Sequence, residues 1–176
     1  MKIIGKNVDL CSVTIDDAKF ILSLRLDPDL NQHLSPVKNN LNKQKQWLEK
    51  SIANKSEYYF IIKNKKHIPV GTIRIYDIKE NIFCWGSWII KPEHRKYASF
   101  ESIILLLKFA FFDLSFKETN FDVRKNNKKA LDFYLRLGAT ITNENDIDYF
   151  LNYKKGDFLE KYNHYQQVID KTPAPK

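Results

Sequence analysis

Hydrophobic and polar positions along this chain switch repeatedly between a period of two and a period of 3.6, and their order predicts an α/β protein. Residues 8–13 alternate and read as a first strand. Thr14, with Asp16 and Asp17 behind it, has the chemistry of an N-cap and an acidic first turn. Ala18, Ile21, Leu22 and Leu24 then mark one helical face, which stops near Asp27-Pro28. Residues 43–53 predict a second helix with Trp47, Leu48 and Ile52 together. Residues 58–62 are a continuous apolar run, as in a strand covered on both sides. Residues 63–66 make a turn. Residues 69–78 form the next strand, with Ile73 and Ile75 set against Thr72, Arg74 and Tyr76.

The stretch from 82 to 136 organises the rest. Ile82–Ile90 reads as a strand closed by Pro92, which cannot donate to a ladder. Strict alternation puts Cys84, Gly86 and Trp88 on one face and Trp85, Ser87 and Ile89 on the other. A basic loop at 93–97 precedes residues 102–114, which are apolar almost all round and predict a buried helix. Residues 120–124 read as a short strand. Lys125-Asn126-Asn127 then lead into a helix over Lys128–Leu137, with Gly138 as its stop. A last strand covers about 147–153, and Phe158, Tyr162 and Ile169 space a closing amphipathic helix at 156–171. Residues 172–176 read as a disordered tail. No repeat or linker divides the chain. The expected architecture is one domain over residues 1–171, with a mixed, mostly antiparallel sheet of six or seven strands and helices on both faces. Its central parallel pair should join Ile82–Ile90 to 120–124.

Composition narrows the class. In 176 residues, 43% hydrophobic and 14% aromatic content is enough to build a folded core. Cys11 and Cys84 are the two cysteines, a count that suits a reducing cytoplasm, and no Cys/His cluster has zinc spacing, so no metal is expected. No charged-then-apolar leader opens the sequence, and the longest apolar stretch contains Lys108 and is too short for a bilayer. The net charge of +8 would suit nucleic acid. The lysines are scattered, however, and no nucleic-acid motif accompanies them. The charge fits steering of small anionic ligands better.

Ile89-Ile90-Lys91-Pro92-Glu93-His94-Arg95, followed by a helix, a strand and Asn127-Lys128-Lys129-Ala130-Leu131-Asp132-Phe133-Tyr134-Leu135-Arg136-Leu137-Gly138-Ala139, resembles the GNAT superfamily of acyl-CoA-dependent N-acyltransferases. Asn, Ala, Tyr and Gly of the second segment stand at the family's spacing. The resemblance runs from Val8 to about Tyr153. It implies an N-acetyltransferase that takes acetyl-CoA as cosubstrate and acts on a primary amine, small or nucleotide-linked, with an amino sugar as one such acceptor. Branches that acetylate protein N-termini share part of the pattern and stand as an alternative. A homodimer is left open.

The resemblance also distributes roles. Trp88, Ile89 and Ile90 would bulge away from the neighbouring strand and offer N–H groups to the thioester carbonyl and pantetheine arm. Arg95, Lys96 and the backbone of Tyr97, Ala98, Ser99 and Phe100 would meet the CoA phosphates, with Lys129 counted beside them. Asn127 would bond the pantetheine, cap the following helix, or do both. The family's phosphate loop carries glycine or another small residue where Ala98 and Phe100 stand here, and glycine is what lets backbone approach a phosphate closely. A non-catalytic module for CoA or a nucleotide is therefore a second alternative.

Acyl transfer to an amine needs a neutral amine, donors for the oxyanion and a proton for the departing thiolate. Tyr134 falls where the family places a general acid near the CoA sulfur; by pattern alone it is equally a core tyrosine. The frame position where many relatives carry a glutamate base is Cys84. Asp77 and Glu80 are then candidate carboxylate bases, and His33 is another. The run 25–34 resembles a helix-and-loop wall of the acceptor site, which gives Arg25, Asp29 and His33 as acceptor contacts, with Trp85 completing the set. Arg25 also stands near Asp27 and Asp29 for a surface ion pair.

Overall fold

Tyr59 and Ile61 pack on one side of the sheet while Phe60 and Ile62 pack on the other, so the apolar run at 58–62 does lie in a strand covered on both faces. The computed structural model describes residues 1–173. Its strands are β1 (Lys2–Ile4), β2 (Val8–Ser12), β3 (Tyr58–Asn64), β4 (Pro69–Lys79), β5 (Ile82–Ile90), β6 (Glu118–Arg124), β7 (Thr140–Glu144) and β8 (Asp148–Lys154). The helices are α1 (Ala18–Leu26), α2 (Leu41–Ala53), α3 (Arg95–Lys108), α4 (Lys128–Leu137) and α5 (Lys155–Lys171). All eight strands join one sheet in the order β1-β2-β3-β4-β5-β6-β8-β7. Every pair is antiparallel except β5 with β6, the parallel pair that the pattern predicts.

The sheet has eight strands where six or seven are expected. The additions are its two edges. β1 has three residues, and all five residues of β7 are exposed, so neither carries an apolar face to betray it. The main core lies between the sheet and α3, α4 and α5; a smaller one lies under α1 and α2, built from Val13, Ala18, Ile21, Leu48, Tyr59 and Ile61.

α3 is buried from Glu101 through Leu107, in keeping with its all-round apolar sequence. It begins earlier than the sequence suggests. A single 3₁₀ turn, Pro92–His94, runs directly into helix at Arg95, so residues 95–100 form helix and not loop. Tyr97 and Ala98 continue its buried face, and no glycine interrupts it. The buried carboxylate of Glu101 accepts the backbone N–H groups of Lys6 and Asn7, which fixes the β1–β2 turn on the helix.

α4 starts and stops as its sequence indicates. The Asn127 side chain accepts the Ala130 N–H at 3.3 Å, and Gly138 closes the helix at φ 109°, a conformation that favours glycine. α5 folds back over this end: Tyr165 donates to the Leu137 carbonyl at 2.6 Å. The Lys6 ammonium binds the carbonyls of Ile169 and Asp170 at the other end of α5. Thr172 belongs to that closure and not to a free tail, since its hydroxyl donates to the Val168 carbonyl at 2.9 Å. Residues 174–176 of the expected tail lie outside the described residues.

Two irregularities in the centre of the sheet matter most. β4 pairs Thr72 with Ile89 and then Arg74 with Gly86, so β5 has one residue more than β4 across this interval. Ser87, in the bulge, takes φ 48°. The bulge overturns the strict alternation: Trp85 and Trp88 lie on the same face, ring centroids 5.8 Å apart. The second irregularity is short pairing. β5 and β6 pair only at Ile82 with Glu118 and Phe83 with Thr119. Beyond those two rungs the strands part.

Candidate functional site

The gap between β5 and β6 opens a cavity of about 310 Å³ whose lining includes residues 85–88 of β5 and residues 121–124 of β6. Tyr134, from α4, closes it on the α3–α4–α5 side of the sheet. Its ring packs edge-on to Trp85 at 5.4 Å and to Phe121 at 5.0 Å, and lies 6.4 Å from Trp88. Its hydroxyl has no hydrogen-bond partner among the described residues. Burial raises the Tyr134 pKa, and the negative charge of Asp122 pushes it the same way. The hydroxyl therefore keeps its proton throughout the neutral range. Trp88 is oriented by its indole N–H, which donates to Ser102 at 3.1 Å, whereas the buried indole N–H of Trp85 has no partner among the described residues.

The opposite wall is cationic. Arg25, Arg74 and Arg124 all line the cavity, with His33 beside them. Arg124 is paired with Asp148 at 3.1 Å and Arg74 with Glu57 at 3.4 Å. Arg74 also lies 4.3 Å over the Tyr76 ring and 5.3 Å from that of Trp47. Arg25 makes no ion pair with Asp27, Asp29 or any other carboxylate among the described residues; its Nη2 donates to the Ser35 carbonyl at 2.7 Å. Burial lowers its pKa, and repulsion from Arg74 contributes in the same direction.

The carboxylate that lines this cavity is Asp122, on β6. Asp122 is exposed in β6, and the partial loss of water around its carboxyl raises its pKa; Asp148 adds to the rise and Arg124 opposes it. Asp77 and Glu80, the candidate bases from sequence, stand elsewhere. Both are exposed at the far end of the β4–β5 hairpin, outside the cavity lining. Cys84 is half-buried, and burial raises its thiol pKa, so it stays a protonated thiol. Gly86 lets the Tyr76 side chain pack closely against β5, since a Cβ there would come within 3.1 Å of the Tyr76 hydroxyl.

A strand pair that parts beside a helix N-cap asparagine and a buried tyrosine is the arrangement that the sequence resemblance implies, and the family comparison decides the matter. Residues 8–140 match the model for the acetyltransferase (GNAT) domain. The chain belongs to the GNAT acetyltransferases. FdhC, described as a nucleotide-linked sugar GNAT, is 33% identical, with a TM-score of 0.86 over 96% of this chain and 98% of its own. A chimera of the Vibrio cholerae spermidine N-acetyltransferase SpeG with hSSAT shares the fold at a TM-score of 0.78 and 18% identity, over 88% of this chain and 99% of its own. The SPbeta prophage-derived uncharacterized N-acetyltransferase YokL of Bacillus subtilis (strain 168) is 23% identical over 138 residues, 76% of each chain.

In this GNAT the end expected to meet CoA phosphates is helical from Arg95 onward. The N–H groups of Ser99 and Phe100 lie inside α3, where helical bonding commits them to the carbonyls four residues back. They are not loop amides free to bind phosphate. Ala98 is fully buried, and Phe100 packs against Tyr165 of α5 at 5.6 Å. What remains exposed are the side chains of Arg95 and Lys96 in the first turn, with Arg95 Nε donating to the Ile90 carbonyl at 3.3 Å. Among the described residues β5 beyond Phe83 has no partner on its β6 side, and Asn127, expected at the pantetheine, lines the opening. Ile89 and Ile90 are buried in β5, while Lys129 and Asp29 are exposed and outside the cavity lining.

Proposed function

We propose that this GNAT transfers an acetyl group from acetyl-CoA to the primary amine of a nucleotide-linked amino sugar. The observation that carries the reading is the asymmetry of the cavity. One side is an aromatic wall holding a protonated tyrosine; the other is a set of guanidinium groups with a carboxylate between the two. An acceptor with a neutral sugar amine at one end and an anionic linker at the other matches both. The 33% identity with FdhC supports the same acceptor class. Arg25, which has no carboxylate partner among the described residues, disfavours a polyamine ammonium beside it.

Acetyl-CoA supplies the acyl group as a thioester. The acceptor amine must lose a proton to attack, and the Asp122 carboxylate is the base we assign. Asp122 lines the same cavity as Tyr134, and its raised pKa brings it closer to the neutral range where a base works best. Tyr134 gives its hydroxyl proton to the departing thiolate. Backbone N–H groups of β5 at and beyond the Ser87 bulge polarise the carbonyl, in the manner of an oxyanion hole.

The experiment is thiol release from acetyl-CoA with a panel of UDP- and dTDP-linked amino sugars, spermidine and peptides with free N-termini. Turnover confined to the nucleotide-linked amines is the expected result. Turnover on spermidine or peptides alone would overturn the acceptor class. One observation favours a second reading: with residues 95–100 helical, a nucleotide-binding module without acetyl transfer is the competing outcome. Thermal stabilisation by a nucleoside diphosphate, with none by acetyl-CoA and no turnover on any amine, would select it.

A further inference from the structure

We infer that Arg25, Arg74 and His33 form a seat for the diphosphate of a nucleoside-diphosphate-linked acceptor, and that the side chamber ending at Trp47 takes its base. This rests on the acceptor class proposed above and assigns its recognition to particular residues.

The first observation is unmet hydrogen bonding. Among the described residues, the buried side-chain nitrogens without a partner include Arg25 Nε, Arg74 Nε and His33 Nδ1, and all three residues line the same cavity. Native proteins leave few buried polar atoms unpaired, and their concentration in three residues around one cavity marks that wall as a polar one short of acceptors. Guanidinium nitrogens are donors only, so the missing partner is an acceptor-rich group.

Charge points the same way. Arg25 is half-buried, has no carboxylate partner among the described residues, and is repelled by Arg74. An anion between the two guanidinium groups would relieve both conditions. A single carboxylate offers two oxygens to this set. A diphosphate offers more acceptors, spans two arginines and suits the planar guanidinium fork.

The third observation is a second chamber, of about 280 Å³, that adjoins the first. The two share Arg25, Ser35, Arg74 and Ser87. Away from the arginines the second chamber is lined by Val37, Gln44, Trp47 and Tyr59. Trp47 is 42% exposed, unusual for a tryptophan, and is braced edge-on by Tyr59 at 6.0 Å. A flat heteroaromatic ring can stack on it, and the Gln44 amide can bond the ring's edge. The arginines belong to both chambers. A ligand with its base at Trp47 and its phosphates on Arg25 and Arg74 would therefore direct its sugar to the gap between β5 and β6, where Asp122 and Tyr134 lie.

The test is calorimetric titration of UDP, dTDP and inorganic pyrophosphate into wild type, Arg25→Gln and Trp47→Ala, with acetyl-CoA titrated as a control for folding. Arg25→Gln should weaken the nucleoside diphosphates and pyrophosphate at least tenfold. Trp47→Ala should weaken the nucleoside diphosphates alone, and acetyl-CoA affinity should hold in both. Failure of wild type to bind either nucleoside diphosphate, or unchanged affinity in Arg25→Gln, would overturn the seat. The two readings separate cleanly. Acetyl transfer to a nucleotide-linked amine with an unchanged KM in Arg25→Gln removes the seat and keeps the enzyme. Nucleotide binding through Arg25 without any transfer keeps the seat and removes the enzyme.

Discussion

Trp85 and Trp88 share one face of β5, with ring centroids 5.8 Å apart, although a regular strand would turn residues three apart to opposite sides. The extra residue that β5 carries opposite β4 is the cause. It gathers Trp85, Trp88, Phe133 and Tyr134 into one aromatic wall and exposes Gly86 and Ser87 to the arginine side. A second departure, the loss of β5–β6 pairing after two rungs, leaves room beside that wall. The site is thus a product of these two faults in the sheet.

Ser87 holds the first of these at φ 48°, and its carbonyl accepts the Thr72 hydroxyl at 2.7 Å. Left-handed backbone costs a residue with a Cβ roughly 1–2 kcal/mol. Ser87→Gly should therefore leave the melting temperature equal or higher. Ser87→Val places a β-branched side chain in that conformation and should destabilise by about 1–3 kcal/mol, the size of a strained backbone position. Equal melting temperatures for wild type and Ser87→Val would show that the bulge does not need this conformation.

Much of the fold was legible in the sequence because burial imposes a period. The run at 58–62, the greasy helix at 102–107 and the Asn127-to-Gly138 helix each carry a pattern that their packing demands. β7 carries none, since no residue of it is buried. The bulge is hidden for another reason: a positive φ at a serine has no side-chain signature. Asp122 reads as one polar residue in an alternating strand, and it acquires a site only because β6 leaves its neighbour. The start of α3 is the instructive case. The family frame favours a loop at residues 95–100, while Tyr97, Ala98, Glu101 and Ser102 already trace the buried face of a helix.

Asp122 as base predicts a pH signature. The base must be ionised to accept a proton, so kcat/KM should rise with pH through its pKa and fall below it. Partial desolvation and Asp148 raise that pKa, so the acidic limb should lie above the ordinary carboxylate range. Asp122→Asn should abolish the limb and lower kcat/KM by about 10²- to 10⁴-fold, the usual range for general base help. Persistence of the same limb in Asp122→Asn would assign it to another group.

The phosphate end makes a different prediction. Arg95 and Lys96 are exposed cations at the first turn of α3, and the backbone of Ser99 and Phe100 is committed to the helix. Side chains must then supply what a glycine loop would have given. The double variant Arg95→Ala/Lys96→Ala should raise the acetyl-CoA Kd by roughly ten- to a hundredfold, since a hydrogen bond to a charged group is worth about 1.5–3 kcal/mol. The effect should shrink with added salt, as exposed charges are screened within about 10 Å at 0.1 M. Saturating kcat should change little. A Kd unaltered at low salt would move the phosphates off this helix end.

Tyr134→Phe tests the acid. Burial raises the Tyr134 pKa, with Asp122 second, so the hydroxyl is present in the protonated form that an acid needs, and its proton moves only once charge has built up on the departing sulfur. The substitution removes one oxygen that has no protein hydrogen bond to lose among the described residues, and it keeps the ring against Trp85 and Phe121. Stability should therefore hold or rise slightly. If the hydroxyl protonates the departing thiolate, kcat should fall on the order of 10²-fold while the acetyl-CoA Kd stays near its wild-type value. Turnover down with binding intact is the pattern of an interaction made in the transition state alone. Because the thiolate is a good leaving group at high pH without help, the deficit should also narrow as pH rises. A Tyr134→Phe enzyme with wild-type kcat at neutral pH would leave the proton to water and reduce Tyr134 to one ring of the aromatic wall.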